Sequence, residues 1–457
     1  AQRQFDAGRA TMDLWPLEEL RLNYPIGSHL WLAVAARWTG LEVHEVFRHS
    51  FVLALCGAAL CVGAWTEKVF GSAGHAAAGA LAFVFGSYQA SFYPYTWGGL
   101  PSALAMWQGL AAWYCLFQLP GRGGLVASVI LLSGVTMTHH HTMVALLGGT
   151  GMVAAVGFAI WREHRAACVR VLVALVGSAV IAGIYLVPLA RHAGEIGHTG
   201  TLKYYEDFAW PWEHLWGWGL PLLLTLCVGL VTLRRTECRS SRWFLLGIAI
   251  FWLSCFAVLD YVGRGVSLWM YGQRATPFTP SRFLFDVQFV AAIIAGGGLW
   301  QFWLWLRRPA FRYALVAGVA CWGVWKTEPR WNVVPSDVLM NVGQWSREHL
   351  PEDALVTGLY LPEDALVTVL PDIWLTYVCR RESTSLFIPI SEPASTARHR
   401  VKAVLLRAPH GLSGNQWRAH LGKPIFVVAS VRDESWGSEP IFVDELLAVY
   451  HLSASEN

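Results

Sequence analysis

The chain has 457 residues, of which 55% are hydrophobic and only 14% are Asp, Glu, Lys or Arg. Soluble domains carry about 25% charged residues, so this composition excludes a single aqueous core and makes lipid the solvent for much of the chain. The net charge of +3 gives no indication of a nucleic-acid partner, and the 25 tryptophans are typical of a chain with two membrane–water interfaces.

The first 46 residues are predicted to form an extracytoplasmic loop. They open with a polar stretch and without an initiator Met, which favours a fragment that begins inside a loop. Residues 27–38 are apolar but too short to cross the hydrocarbon core, which needs about 20 residues. We therefore expect an interfacial helix within this loop.

Ten later segments are apolar and have roughly the length that a membrane-spanning helix requires. Most are joined by short connections, so successive helices are expected to run antiparallel. The predicted fold class is mainly α, with a polytopic transmembrane helix bundle of about ten spans over residues 47–326. The segments are 47–66, 73–94, 99–119, 124–139, 141–161, 168–189, 215–233, 243–261, 283–306 and 310–326.

Positive charge alternates between the connections. One alternate set holds 12 Lys or Arg in 37 residues, whereas the other holds six in 69. Cytoplasmic connections carry an excess of Lys and Arg, so the first set is predicted to be cytoplasmic. The second set, residues 1–46 and everything after residue 326 are then outside the cytoplasmic membrane. The basic set comprises 66–72, 119–124, 162–170, 234–242 and 307–312.

Residues 327–457 have a different pattern and predict a small C-terminal extracytoplasmic α/β domain. A polar helical stretch at 342–349 is followed by short runs rich in β-forming residues, which alternate with turn residues. These runs are 354–360, 401–406, 425–431 and 446–452.

The outer connection 262–282 contains Arg274 and Arg282 among glycines, prolines and aromatic residues. Arg282 lies where the chain enters the next span, and a guanidinium there can hold a phosphate through two parallel hydrogen bonds. That phosphate belongs either to ordinary phospholipid or to a lipid-linked substrate. Asp286, one helical turn deeper, is expected to pair with Arg282, and ionisable groups at membrane depth are usually functional.

Three successive histidines, His139, His140 and His141, lie in an outer hairpin between two predicted spans. Successive residues of a helix point in different directions, so the three rings cannot all bind one metal ion without unwinding. Hydrogen bonding to a substrate, or within the hairpin itself, is the favoured interpretation. Metal binding is the alternative.

Four acidic residues near the start, Asp6, Asp13, Glu18 and Glu19, precede the segment NYPIGSH at residues 23–29. A carboxylate at an outer active site can deprotonate an attacking hydroxyl or bind a divalent metal ion. The alternative is a solvated acidic loop without a catalytic role.

Taken in order, these motifs resemble those of polytopic glycosyltransferases of the GT-C class. A YPxGxH-like segment contains Tyr24 and His29, and a WGGLP turn follows at 97–101. The histidine hairpin comes next, and a PSRF step at 280–283 precedes a late span. The ordered set covers nearly the whole chain, and its last members are 344–356 and 372–383.

The resemblance implies sugar transfer from a polyprenyl-phosphate donor to a glycan, lipid or protein acceptor at the outer face of the membrane. Members of the class place an essential Asp in the first outer loop after a first span, so we expect the sequence to begin beyond that span. Asp6 and Asp13 are then the candidate catalytic residues, and Mg or Mn is a candidate cofactor.

The remaining candidate residues would contact substrate. Arg282 and Arg274 would neutralise the departing lipid phosphate, the type of electrostatic help that dominates such transfers. Two other functions stay open: a non-catalytic accessory subunit with the same bundle, and a transporter of a lipid-linked substrate. The further candidates for substrate contact are Tyr24, His29, His139, His140, His141 and Asp286.

Overall fold

The computed structural model of the protein is mainly helical and divides into two compact units. One comprises residues 24–191 and 201–329, and the other comprises residues 1–23, 192–200 and 330–457. The sequence-based limits at residues 46 and 326 stay predictions. The structure describes residues 13–14, 17–21, 27–86, 99–119, 121–193, 203–204, 220–234, 236, 239–263, 275–276, 281–327, 337–351, 354–358, 382–383, 425–430, 439–444 and 447–451.

The first unit is a bundle in which each of the ten predicted segments contains a helix. Three π-helical segments, Ala82–Gly86, Val144–Gly148 and Val258–Gly263, continue or precede α-helices. The α-helices are α1 (Gly27–Thr39), α2 (Val43–Phe70), α3 (Ala73–Leu81), α4 (Leu100–Gln118), α5 (Gly121–Thr138), α6 (His140–Met143), α7 (Gly149–Ile160), α8 (Arg165–Ala193), α9 (Leu220–Leu233), α10 (Arg239–Ala257), α11 (Ser281–Trp305) and α12 (Pro309–Thr327).

Several of these helices can cross a membrane. Within the described ranges, five are long and apolar enough by length and composition: Val43–Phe70, Gly121–Thr138, His141–Ile160, Arg162–Ile184 and Phe283–Trp305. Four shorter helices, Ala73–Gly86, Leu222–Leu233, Ser241–Ala257 and Pro309–Val324, are also apolar. The remaining predicted segment, 99–119, forms α4.

Helix α11 is central in the bundle. The most apolar window of Phe283–Trp305 is 89% buried, whereas that of Arg162–Ile184 is only 22% buried, as expected for a helix that faces lipid. Glycines let α9 and α11 approach closely, because a Cβ on Gly229 or Gly298 would overlap backbone of the facing helix. Small residues serve this purpose in membrane helix pairs.

Three of the basic connections meet at one end of the bundle, which we call the arginine end. The Arg170 guanidinium donates hydrogen bonds to the carbonyl oxygens of Leu119 and Gly121, at 2.6 and 3.1 Å. The Trp161 ring, next to the connection 162–170, lies 5.7 Å from the Trp243 ring, next to the connection 234–242. This third basic connection therefore lies at the same end. This is the shared end that the alternation of charge predicts, and the side of the membrane that it faces stays a prediction.

The second unit contains a five-stranded mixed sheet, which confirms the predicted C-terminal strand region. Two antiparallel strand pairs that are separate from this sheet come earlier in the chain. They are β1 (Asp13–Leu14) with β2 (Leu17–Arg21), and β3 (Lys203–Tyr204) with β4 (Ala275–Thr276). The sheet has the order β6-β5-β7-β9-β8, in which β5 is parallel to β6 and β7, and β9 is antiparallel to β7 and β8. Its strands are β5 (Leu355–Gly358), β6 (Glu382–Ser383), β7 (Ile425–Ser430), β8 (Phe442–Val443) and β9 (Leu447–His451).

Helix α13 (Asp337–His349) packs on this sheet and shares its hydrophobic core. Trp345 stacks on Phe442 with ring centroids 4.8 Å apart, and the Asn341 amide donates a hydrogen bond of 3.1 Å to the Asp444 carboxylate. A helix and the strands that follow it thus form one α/β unit, as the sequence pattern predicts. The predicted run at 401–406 lies outside the described residues.

Candidate functional site

The histidine segment forms a tight hairpin, as predicted. Ser102 and Thr142 place their hydroxyl oxygens 3.4 Å apart, and further along the Trp113 indole donates to the Thr150 hydroxyl at 2.8 Å. Helices α4 and α7 therefore run in the same direction, while α5 returns antiparallel to α4. The chain reverses at His139, between α5 and α6, and we call residues 138–142 the hairpin.

His139 closes the hairpin on itself. Its Nδ1 lies 2.8 Å from the Thr142 hydroxyl and accepts the Thr142 backbone N–H at 3.3 Å. Accepting an amide proton requires a lone pair on Nδ1, so the proton of the neutral ring is on Nε2. The contacts of this ring match the interpretation that one of the histidines bonds within the hairpin.

His141 connects the hairpin to α11. Its Nε2 lies 3.0 Å from Oδ2 of Asp286, and the two side chains are only 5% and 6% exposed. The Phe283 ring packs edge-on against the imidazole, with centroids 4.6 Å apart. A carboxylate buried at this depth requires a hydrogen-bonding or charged partner, and His141, 145 residues away in sequence, supplies one.

The first turn of α1 rests on the same hairpin. A Cβ on Gly27 would lie 2.6 Å from the Met137 carbonyl oxygen and 3.0 Å from the Thr138 hydroxyl, so only glycine allows this approach. One turn later the Trp31 indole donates to the Ser50 hydroxyl at 2.9 Å, which fixes α1 to α2. The segment predicted as an interfacial helix is thus helical, and its start contacts the hairpin.

The next residue of α1, Ser28, is buried, and His29 after it is half-buried. Ser28 is 2% exposed, and its hydroxyl finds no hydrogen-bond partner within the described part of the chain. Burial lowers the pKa of His29 to about 3, so its imidazole is neutral at pH 7. A neutral ring donates and accepts one hydrogen bond each, which suits contact with a polar substrate.

Three helix beginnings therefore meet at the hairpin, and we call this the hairpin end of the bundle. The contacts are made by the first turn of α1 through Gly27, the first turn of α4 through Ser102, and the second turn of α11 through Asp286. Each belongs to one of the ordered sequence motifs, or follows it directly. Segments that are far apart in sequence thus form one cluster.

Several predicted site residues are placed only by their backbone, or not at all. Arg282 lies in the first turn of α11, one turn before Asp286, and His140 lies in α6, but the side chains of both are outside the description. Asp13 lies in β1, again without a described side chain. The predictions for Asp6, Tyr24 and Arg274 fall outside the described residues.

A divalent cation stays a prediction. Among the residues that the structure describes, no three His, Cys, Asp or Glu side chains come together as a metal site would require. His139 faces its own turn while His141 faces α11, which is the divergence expected for neighbouring histidines. The side chains of the acidic residues in the first loop lie outside the described part of the structure.

Sequence reasoning missed two residues of the cluster. Ser28 and Ser102 are isolated small polar residues, and their residue type alone does not distinguish them from the other serines of the chain. The available signal was position, because each lies in the first turn of a helix that begins with a Gly- and Pro-containing motif. π-Helical segments, which often occur at functional sites, also had no signature in the hydropathy pattern.

Solved structures show the same fold. Two crystal structures of ArnT from Cupriavidus metallidurans, one bound to undecaprenyl phosphate and one in the apo state, match the chain with TM-scores of 0.57 and 0.56 at 13% and 12% sequence identity. Each match covers 99% of this chain and 92% of the ArnT chain. No protein-family model matches the sequence, and no curated protein matches it. The chain therefore has the same fold as ArnT, a polyprenyl-phosphate-sugar-dependent GT-C glycosyltransferase. This fold and the helices of membrane-spanning length support an integral membrane protein.

Proposed function

We propose that the protein is a membrane glycosyltransferase that moves a sugar from a polyprenyl-phosphate donor to a glycan, lipid or protein acceptor at the outer face of the cytoplasmic membrane. The observation that carries the proposal is the meeting of the motif segments at the hairpin end, joined by the buried His141–Asp286 contact. The ArnT fold supports it, because one of the matching structures is bound to undecaprenyl phosphate.

The chemistry requires one bond to form while another breaks. An acceptor hydroxyl oxygen attacks the anomeric carbon of the sugar, and the bond from that carbon to the phosphate oxygen breaks with its electron pair going to the phosphate. The hydroxyl proton passes to a base, for which Asp6 and Asp13 are the candidates. The departing lipid phosphate gains negative charge. Arg282 and Arg274 are the candidates that would neutralise it.

Asp286 and His141 have a positioning role in this proposal. Asp286 lies one turn after Arg282, so the contact that holds Asp286 against the hairpin also holds the turn of α11 that carries Arg282. Electrostatic stabilisation of a transition state depends on groups that are already fixed before the reaction. A tertiary bond that is buried from water is well suited to fixing such a turn.

The test is turnover with synthetic polyprenyl-phosphate sugars in reconstituted membranes, measured as release of lipid phosphate. Arg282→Ala should abolish release while leaving insertion and the melting temperature unchanged. Arg308→Ala, an exposed arginine beyond the other end of α11, is the matched control and should release lipid phosphate at the parental rate. Unchanged release in the Arg282 variant would refute its role.

The same experiment distinguishes the two other functions. Binding of the donor lipid without release, for every sugar tried, would indicate an accessory subunit and contradict the enzyme. Movement of an intact donor lipid between leaflets, without release of lipid phosphate, would indicate a transporter and contradict it as well.

A further inference from the structure

A cleft opens at the arginine end of the bundle, where α7, α8 and α10 come together. Its walls are almost entirely apolar, and its volume of about 30 Å³ has room for roughly two groups the size of a water molecule or a methylene. The walls include Ala154 of α7, Ala167 and Val171 of α8, and Trp243 and Phe244 of α10.

The helices around the cleft face lipid. Ile160 and Val169, each one residue from a residue of the wall, have exposed apolar side chains, and Trp243 in the wall is 39% exposed. In a membrane such side chains are covered by hydrocarbon. A group that enters the cleft from outside the bundle is therefore part of a lipid.

A guanidinium is held beside the cleft. The Cζ atom of Arg242 lies 5.9 Å from the centroid of the Trp243 ring. Its Nη1 donates to the carbonyl oxygens of Leu233 and Arg234, both at 3.2 Å. That nitrogen carries two of the five N–H donors of a guanidinium, and the others suit the oxygens of a phosphate.

An independent observation concerns His164, which lies in the wall of the cleft. Its Nε2 is buried and makes no hydrogen bond within the described residues. The Glu163 carboxylate lies 3.5 Å away, which is longer than the usual distance of such a bond. Because buried polar atoms nearly always have a partner, the wall has a polar atom that a bound headgroup can satisfy.

The charge around the cleft is strongly positive. The connections 162–170 and 234–242, which begin or end beside it, together contain seven Arg and two Glu. Clusters of Lys and Arg next to membrane helices attract anionic lipids, and basic pockets between such helices bind their headgroups. Charge complementarity therefore favours an anionic phospholipid over a neutral one.

We propose that this cleft binds an anionic phospholipid of the leaflet at the arginine end. The start of one acyl chain enters the cleft, and the phosphate lies between Arg242 and His164, with Nε2–H of the imidazole donating to a phosphate oxygen. The site is separate from the hairpin, because α4 begins there and reaches the cleft near its other end, at Phe117. It requires no sugar transfer and so does not depend on the proposed function.

The test measures phosphatidylglycerol and phosphatidylcholine bound to the full chain by native mass spectrometry in a neutral detergent. The first phosphatidylglycerol should bind more tightly than phosphatidylcholine. Arg242→Gln should weaken its binding roughly 10-fold, the effect of losing a hydrogen bond to a charged group. His164→Phe keeps a ring in the wall and should weaken binding similarly, without lowering the melting temperature in the absence of lipid.

Arg312→Gln is the matched control for Arg242→Gln. The Arg312 guanidinium also donates to a carbonyl oxygen beyond the end of a helix, that of Leu306 at 2.7 Å, and its Cζ lies 5.5 Å from the Trp303 ring centroid. Neither Arg312 nor Trp303 is part of the wall of the cleft. The control should lower the melting temperature about as much as Arg242→Gln, and it should leave the affinity for the first phosphatidylglycerol unchanged.

Several results would overturn the assignment. Equal affinity of the parent for the two phospholipids would exclude a site for anionic lipid. Parental affinity in both Arg242→Gln and His164→Phe would exclude the cleft. Equal weakening in the Arg242 and Arg312 variants would indicate attraction to the overall charge of this end. A dimer mass that phosphatidylglycerol does not displace would show that a second copy of the chain covers the cleft.

Discussion

Breaking the buried contact between His141 and Asp286 should destabilise the helix bundle strongly. In His141→Ala the carboxylate of Asp286 stays buried, with its side chain 6% exposed, and loses its imidazole partner. Removing one partner of a buried ion pair costs about 3–5 kcal/mol. Asp286→Asn removes the charge but keeps an oxygen that can accept the hydrogen bond, so its cost should be about 1 kcal/mol.

The assay is denaturant unfolding of the purified protein in micelles, for both single variants and the double variant. Because the two side chains are in contact, their effects should not add, and a coupling free energy of roughly 0.5–3 kcal/mol is expected. The chain offers a matched control at the arginine end. His164 and Glu163 lie 3.5 Å apart, with side chains 21% and 54% exposed, and a partly exposed pair of this kind is worth about 0–1 kcal/mol.

Two results would refute this reasoning. One is a cost for His141→Ala no larger than the cost for His164→Ala. The other is strict additivity of the His141 and Asp286 substitutions. Either would mean that the contact does not hold the hairpin to α11, and the positioning role proposed for it would have to be abandoned.

Two more predictions concern the packing and orientation of the bundle. Gly27→Ala should cost about 1–3 kcal/mol through overpacking, because its Cβ would lie 2.6 Å from a hairpin carbonyl oxygen, whereas Gly123→Ala has open space and should be neutral; equal melting temperatures would show that α1 does not rest on the hairpin. Ser413→Cys should react with a membrane-impermeant thiol reagent in intact cells, above the background of the parent chain. Glu163→Cys, at a side chain that is 54% exposed, should react only after lysis, and the opposite pattern would reverse the orientation.

The helices of the bundle were predictable because lipid imposes a simple rule. A span needs about 20 apolar residues, so the segment 283–306 marks α11 to within two residues at its start. The hairpin was predictable from the same rule, since two spans meet there with almost no connection between them. In the second unit, β-rich runs predicted β7 and β9, whereas β6 is too short to give a pattern.

The contacts within the cluster were not predictable, because they depend on tertiary packing. Local spacing predicts that Arg282 pairs with Asp286, since helix neighbours four residues apart face each other, and this stays a prediction because the Arg282 side chain is outside the description. The spacing gave no sign of His141, which comes from another helix and also contacts Asp286. Gly27 is a second example. The sequence showed that it lies in a motif, but it did not show that Gly27 packs against the carbonyl oxygen of Met137.

The distribution of charge explains why a phosphate site in this bundle would depend on helix ends. The rule that concentrates Lys and Arg in cytoplasmic connections leaves only six in the 69 residues of the opposite set. A site on that side therefore has few cations available, while a lipid phosphate still needs positive charge around it. Backbone amides at helix beginnings supply that charge without affecting orientation. On this argument Arg282, which lies in the first turn of α11, would act on a lipid phosphate together with the backbone amides of that turn.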